Sequence, residues 1–147
     1  MLRVLLTGLP VLVLCIGIQA LFVGWGVRAY MHLRQRKDGR VRRGNVMILS
    51  TVMLLMLVGN CTQIAAWSAL FMLLGEFADY ATALYHSAVN FTTLGYGDVV
   101  MSPRWRLLGA LEAANGILMF GVSTGVMTGA VIDIIKHEGR GVGDRPG

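Results

Sequence analysis

Residues 92–98 read Thr92-Thr93-Leu94-Gly95-Tyr96-Gly97-Asp98, two threonines and two glycines within seven positions, flanked by long apolar segments. The glycines can adopt backbone conformations, including positive φ, that other residues avoid. That freedom lets successive carbonyls point the same way, which neither a helix nor a pleated strand permits. A row of carbonyls, joined by the Thr93 hydroxyl, can replace the water shell of a dehydrated cation. Irregular backbone survives at membrane depth only where protein buries it or it lines a water-filled path. The chemistry on offer is therefore coordination of an ion, with no bond made or broken.

The elements that must position this stretch follow from composition. A chain of 147 residues with 55% hydrophobic and 14% charged residues is not composed like a soluble domain. Three apolar spans, Val4 to Val27, Val46 to Leu74 and Leu107 to Ile135, each exceed the roughly 20 residues a helix needs to cross a bilayer. The amphipathic run Phe77 to Phe91 is too short to cross and leads directly into Thr92. Asp79 or Thr82 suits its N-cap. Its C-terminus would aim a negative helix end at mid-membrane, favouring a cation there. The expected fold is an all-α membrane protein with three transmembrane helices plus a re-entrant helix and loop. Residues 1–30 form a first transmembrane helix, 31–45 a basic loop, 46–136 the unit around the loop, and 137–147 a flexible tail.

The formal charge of +5 is unevenly spread. Arg28, Arg34, Arg36, Lys37, Arg40, Arg42 and Arg43 lie between spans one and two, and Lys136, Arg140 and Arg145 follow span three. Only Arg3, Arg104 and Arg106 fall on the other side, so the positive-inside rule places the N-terminus outside and the C-terminus in the cytoplasm. The basic loop suits anionic lipid headgroups; a nucleic-acid partner is not expected. Arg34, Lys37, Arg40 and Arg43 recur every third residue, but polar residues between them mark a solvated loop rather than a voltage sensor. Cys15 and Cys61 lie mid-span, where free thiols pack as small residues. Two small-residue stripes, Gly17-Ala20-Gly24 and Gly121-Gly125-Gly129, are expected to pack against span two, and Pro10 to kink the first helix. Asn60, Thr62 and Gln63 are expected to bond to other helices.

The stretch 92–98, in this helical setting, resembles the selectivity filter of the potassium channel family, whose Thr-Val-Gly-Tyr-Gly signature it matches except for Leu94 in place of Val. Leu keeps both the carbonyl and an apolar side chain. The resemblance covers Val46 to Ile135; the first span lies outside it. It implies ion binding by Thr93, Leu94, Gly95, Tyr96 and Gly97, with K+ as the permeant ion, no cofactor and no enzymatic activity. One filter segment supplies one wall of a pore, so a closed ring needs three further identical subunits around a four-fold axis. The implied function is a potassium-selective channel, a homotetramer in the cell membrane. A non-conducting channel-like subunit and a weakly selective cation channel are the alternatives. An enzyme or metal site built from His86, Glu112, Asp133 and His137 is disfavoured, because the first pair falls near the filter and the second near the cytoplasm.

The same resemblance assigns supporting roles to Thr92, Asp98, Tyr85, His86 and Glu112. Tyr85 and His86 stand where many relatives carry two tryptophans, and Val89 where some carry a glutamate that pairs with the aspartate after the filter. Asp98 must then find another partner, and the Tyr85 phenol can reach it; His86 could bond the Tyr96 hydroxyl of a neighbouring subunit. Glu112, an acid within a membrane span, is a functional candidate in its own right and is expected to hydrogen-bond behind the filter rather than to contact the ion. Gly116 falls at the position of an inner-helix hinge, and Ile117, Phe120, Thr124, Thr128 and Ile132 turn toward the pore at spacings of three and four. Asp133 could form a four-fold ring of negative charge that attracts cations.

Overall fold

The computed structural model describes residues 2–35 and 41–143, with side chains over 2–35 and 44–137. Four helices follow in order: α1 (Leu2–Gln35), α2 (Val41–Leu73), α3 (Tyr80–Phe91) and α4 (Arg106–Gly143). No strand occurs among the described residues. Leu2–Gln35, Gly44–Leu73 and Arg106–His137 are each long and apolar enough to cross a membrane. At about 1.5 Å per residue such helices exceed the ~30 Å hydrocarbon core, whereas α3 reaches only about 18 Å. The protein is an all-α membrane protein.

Two boundaries differ from the sequence reading. Residues 31–35 continue α1 and α2 already begins at Val41, so the basic loop is helical at both ends. His32 and Arg34 in the last turn of α1 face its negative end and favour the extension. Lys37 and Arg40 lie outside the described residues, as does residue 36. α4 runs on through Gly143, with no proline before Pro146 to stop it, so the residues after 136 begin as helix rather than as a tail. Pro10 lies within α1 without ending it.

The core gathers where the four helices meet around Trp67, Phe71, Phe91, Leu108 and Cys15, all fully buried. Phe71 stacks edge-on against Phe77 at 6.3 Å and against His86 at 5.6 Å, so α2 seats the approach to α3 and its outward turn. Cys15 and Cys61 are both free.

Neither small-residue stripe packs within the chain. A Cβ at Gly17, Gly24, Gly121, Gly125 or Gly129 would meet nothing within 4 Å. Close approach occurs instead at Gly59, Gly26 and Gly8, where a Cβ would lie 3.0 Å from Phe22, 3.2 Å from Met56 and 2.9 Å from Leu108. The spacing rule found small residues but not which face of each helix turns inward.

Polar groups join the helices at mid-bundle. Gln63 Nε2 donates to Gln19 Oε1 at 2.7 Å, and Gln19 Nε2 donates to Ser123 Oγ at 3.1 Å, linking α2, α1 and α4. Interhelical bonds of this kind contribute roughly 0.6 kcal/mol each on average. Thr62 does not take part: its hydroxyl turns back to the Val58 carbonyl at 2.8 Å on an exposed face.

Candidate functional site

The short helix α3 is pinned at both ends. Asp79 caps its start, accepting from Thr82 N at 2.9 Å and from the Thr82 hydroxyl at 2.7 Å. The Thr82 backbone bond is the main cause holding the Asp79 carboxyl below its ordinary range. Thr92 closes the other end, its hydroxyl donating to the Ala88 carbonyl at 2.7 Å.

Beyond Thr92 the chain changes hand at every second residue. Thr93, Gly95 and Gly97 have φ of +61°, +57° and +76°, while Leu94 and Tyr96 between them do not enter the positive region. Alternation of this kind lets consecutive carbonyls share one side. The N–H groups turn back to the end of α3: Thr93 N donates to Asn90 O at 2.9 Å, Leu94 N to Val89 O at 2.9 Å, and Gly95 N to Val89 O at 3.4 Å. Among the described residues, no backbone N–H donates to the carbonyls of residues 93–97. Those carbonyls therefore retain their full capacity as acceptors. Thr93 is the one described non-glycine residue with positive φ, a strain of roughly 1–3 kcal/mol that the α3 carbonyls help to hold.

Side chains tie down the return path. The Tyr85 hydroxyl donates to Asp98 Oδ2 at 2.7 Å, the contact expected in the absence of a carboxyl at Val89. This bond is the main cause that raises the Tyr85 phenol and lowers the Asp98 carboxyl from their ordinary values. Glu76 grips Ser102 twice, accepting from its backbone N at 2.7 Å and from its hydroxyl at 2.8 Å. Glu76 stands three residues before the Asp79 cap, and its sequence position gives no sign of Ser102, 26 residues on. Glu112 is fully buried and meets the Ser87 hydroxyl, which also lies 2.9 Å from the Ile64 carbonyl. One serine thus brings α2, α3 and α4 together behind the loop, where the sequence placed the Glu112 contact.

His86 has a different partner from the one expected. It is buried, its Nδ1 2.9 Å from the Val99 carbonyl and its Nε2 2.8 Å from Asn90 Nδ2. A carbonyl only accepts, so Nδ1 carries the proton and Nε2 accepts from the amide. Both ring nitrogens are used within the chain, and Phe71 and Phe77 hold the ring from the side. Burial is the largest influence on this histidine and lowers its pKa from 6.5, against the opposing pull of the Val99 carbonyl, Asp98 and Glu76. The folded loop therefore favours neutral His86, and that contribution is lost as pH falls below 6.5 through the lowered value. Protonation would set two donors against each other at Asn90. Acidification below pH 6.5 on the side of this loop should loosen it, read as a faster decay of the current the protein carries. The effect should disappear in His86→Gln, and Tyr85→Phe should speed decay at neutral pH. Currents recorded under stepped pH check both.

The residues assigned to the pore fall on one open face of α4. Ile117, Phe120, Thr124, Thr128 and Ile132 are all exposed in the single chain. Phe120 reaches back to stack on Phe91 at 5.6 Å, beneath the loop. Gly116 differs from this set: it is buried, and a Cβ there would lie 1.9 Å from the Phe91 carbonyl oxygen. Its place in the fold is a close approach between α4 and the end of α3. Asp133 also departs from expectation. Arg34 pairs with its carboxylate and the Tyr30 hydroxyl donates to it, so its charge is already matched within the chain. Among the described residues no three His, Cys, Asp or Glu side chains converge as a metal site would require.

Three helices able to span a membrane, with a short helix feeding a loop whose carbonyls accept no backbone N–H among the described residues, define the architecture of a membrane protein. The chain belongs to the ion channel family, whose family model, described as an ion channel, matches residues 45–133, more than half of its length. The helix α1 lies outside the matched residues. No curated protein and no solved structure matches the chain significantly.

Proposed function

We propose that this protein is a potassium-selective channel that conducts K+ passively as a homotetramer, with the N-terminus outside and the C-terminus in the cytoplasm. The observation that carries the reading is the alternating backbone of residues 93–97, whose carbonyls have no hydrogen-bond partner among the described residues. In a ring of four such loops, the carbonyls of Thr93, Leu94, Gly95 and Tyr96 and the Thr93 hydroxyl would replace the hydration shell of the ion, K+ being the metal that the pore carries and does not retain. Membership in the ion channel family supports the reading. So does the exposure of the loop: Leu94 is 57% and Tyr96 67% exposed in the single chain. A cleft of about 610 Å³ beside the loop, lined by His86, Asn90, Thr93, Gly95 and Arg106 among others, is likewise left for a neighbouring copy to fill. The plasma membrane is the proposed location.

Purified protein in liposomes should support K+ flux that Ba2+ blocks, and the complex should have the mass of four chains. A complex of that mass that carries no flux would instead indicate a non-conducting subunit. Thr124, on the exposed face of α4, should line the cavity below the filter. Thr124→Cys should make conduction sensitive to thiol reagents added at the far end from the filter. Insensitivity while the channel is open would remove Thr124 from the pore wall.

A further inference from the structure

The helix α1 lies outside the matched channel residues, yet it touches α4 at three levels. Near the filter end, Gly8 lets Leu108 and Leu111 come within 2.9 and 3.0 Å of the position its Cβ would take. At mid-bundle, Gln19 donates to Ser123 at 3.1 Å. At the far end, Arg34 pairs with Asp133, the Tyr30 hydroxyl donates to the same carboxylate, and Arg34 Nη1 lies 3.1 Å from the Tyr30 hydroxyl. His137, one turn further along α4, adds its Nδ1 at 3.5 Å from Asp133 Oδ1. We propose that α1 is a latch on the inner helix, holding the far end of α4 in place through the Arg34–Tyr30–Asp133 cluster, so that opening requires the cluster to part. The inference rests on the channel reading given above.

The chemistry distinguishes this cluster from incidental surface pairing. Asp133 receives a charge-assisted bond from a guanidinium and a second bond from a phenol, both presented one turn apart on a single helix. Arg34 also lies over the Tyr30 ring, 5.7 Å from its centroid, which fixes the guanidinium from a second direction. The pair is half-buried, with side chains 28% and 38% exposed, so water weakens it without abolishing it. Beside it a partly open cleft of about 300 Å³ lies between α1, α2 and α4, with Tyr30 and Asp133 in its lining among Gly26, Val52, Val126 and Gly129. Packing between the helices is therefore loose at the level where the polar cluster holds, and the cluster supplies the attachment there. The pore-facing residues Thr128 and Ile132 stand on the same segment of α4, so any displacement of Asp133 moves the pore wall with it.

The test compares the full-length protein with Arg34→Gln, Tyr30→Phe and Asp133→Asn in planar bilayers with symmetrical K+. Arg34→Gln and Asp133→Asn should each raise the open-to-closed ratio by about tenfold, equivalent to about 1.4 kcal/mol, with Tyr30→Phe smaller. Unitary conductance and K+ over Na+ preference should stay at wild-type values, which a general loosening of the fold would not allow. The charge-reversed pair Arg34→Asp with Asp133→Arg should return the ratio toward wild type. Wild-type gating in both Arg34→Gln and Asp133→Asn would overturn the latch while leaving the channel reading intact. If wild type itself carries no current, the channel reading fails, and hydrogen exchange over residues 126–137 decides the latch. Faster exchange in Arg34→Gln and Asp133→Asn supports it, and unchanged exchange rejects it.

Discussion

Gly95→Ala should abolish the proposed potassium flux while leaving the proposed tetramer assembled. Gly95 has φ of +57°, and a Cβ there would meet nothing within 4 Å, so the effect is one of backbone conformation and not of space. An alanine held in the left-handed region costs roughly 1–2 kcal/mol. The alternative is to return to negative φ, which breaks the alternation with Thr93 and Gly97 and turns a carbonyl out of the row. Either result repeats four times around the proposed ring. Liposome flux should fall to background, while native mass should remain that of the wild-type complex. Wild-type flux in Gly95→Ala would mean that the row of carbonyls is not what the ion crosses.

Gly116→Ala should damage both stability and conduction. Its new methyl group would stand 1.9 Å from the Phe91 carbonyl oxygen and 2.8 Å from the Phe91 carbonyl carbon. Both are backbone atoms, so no side chain can rotate away. The end of α3 must shift, and with it the carbonyls of Val89 and Asn90 that accept from Leu94, Gly95 and Thr93. Overpacking of this kind typically costs about 1–3 kcal/mol, and a backbone collision lies at the upper end. Gly17→Ala is the control, since a methyl group there meets nothing within 4 Å and a helical glycine replaced by alanine gains about 0.5–1 kcal/mol. Thermal unfolding of the two variants, read beside their flux, separates the roles of Gly116. Lost stability with lost flux identifies the close approach, whereas intact stability with altered open probability would return Gly116 to a hinge.

Much of this architecture was legible because membranes impose few solutions. Uninterrupted apolar length identified α1, α2 and α4, and the shortness of the run ending at Phe91 marked α3 as re-entrant. Asp79 was readable as a cap because its side chain can satisfy the Thr82 N–H. The Tyr85–Asp98 bond was legible through the resemblance to potassium channels, which leaves Asp98 without a carboxyl partner at Val89 and sets the Tyr85 phenol within its reach. Rotational facing was not legible. Gly17 and Gly121 have the spacing of packing residues, but helix spacing alone does not say which stripe turns toward a neighbour. Contacts across long sequence separation were also hidden. Nothing local to Asp133 announces Tyr30 or Arg34, about a hundred residues earlier, and the basic residues of that region read as solvated. The resemblance sets His86 where relatives carry a tryptophan and so pairs it with the Tyr96 hydroxyl of a neighbouring subunit, while Val99 and Asn90 engage both its nitrogens from within.

Residues 93–97 are proposed to form a potassium-selective row of carbonyls. The most direct test is the reversal potential of the purified channel in a planar bilayer with K+ on one side and Na+ on the other. The expected potential is close to that of a membrane permeable to K+ alone, with Leu94 tolerated because its carbonyl is unchanged. A reversal potential near zero, meaning equal permeability to the two ions, would contradict it.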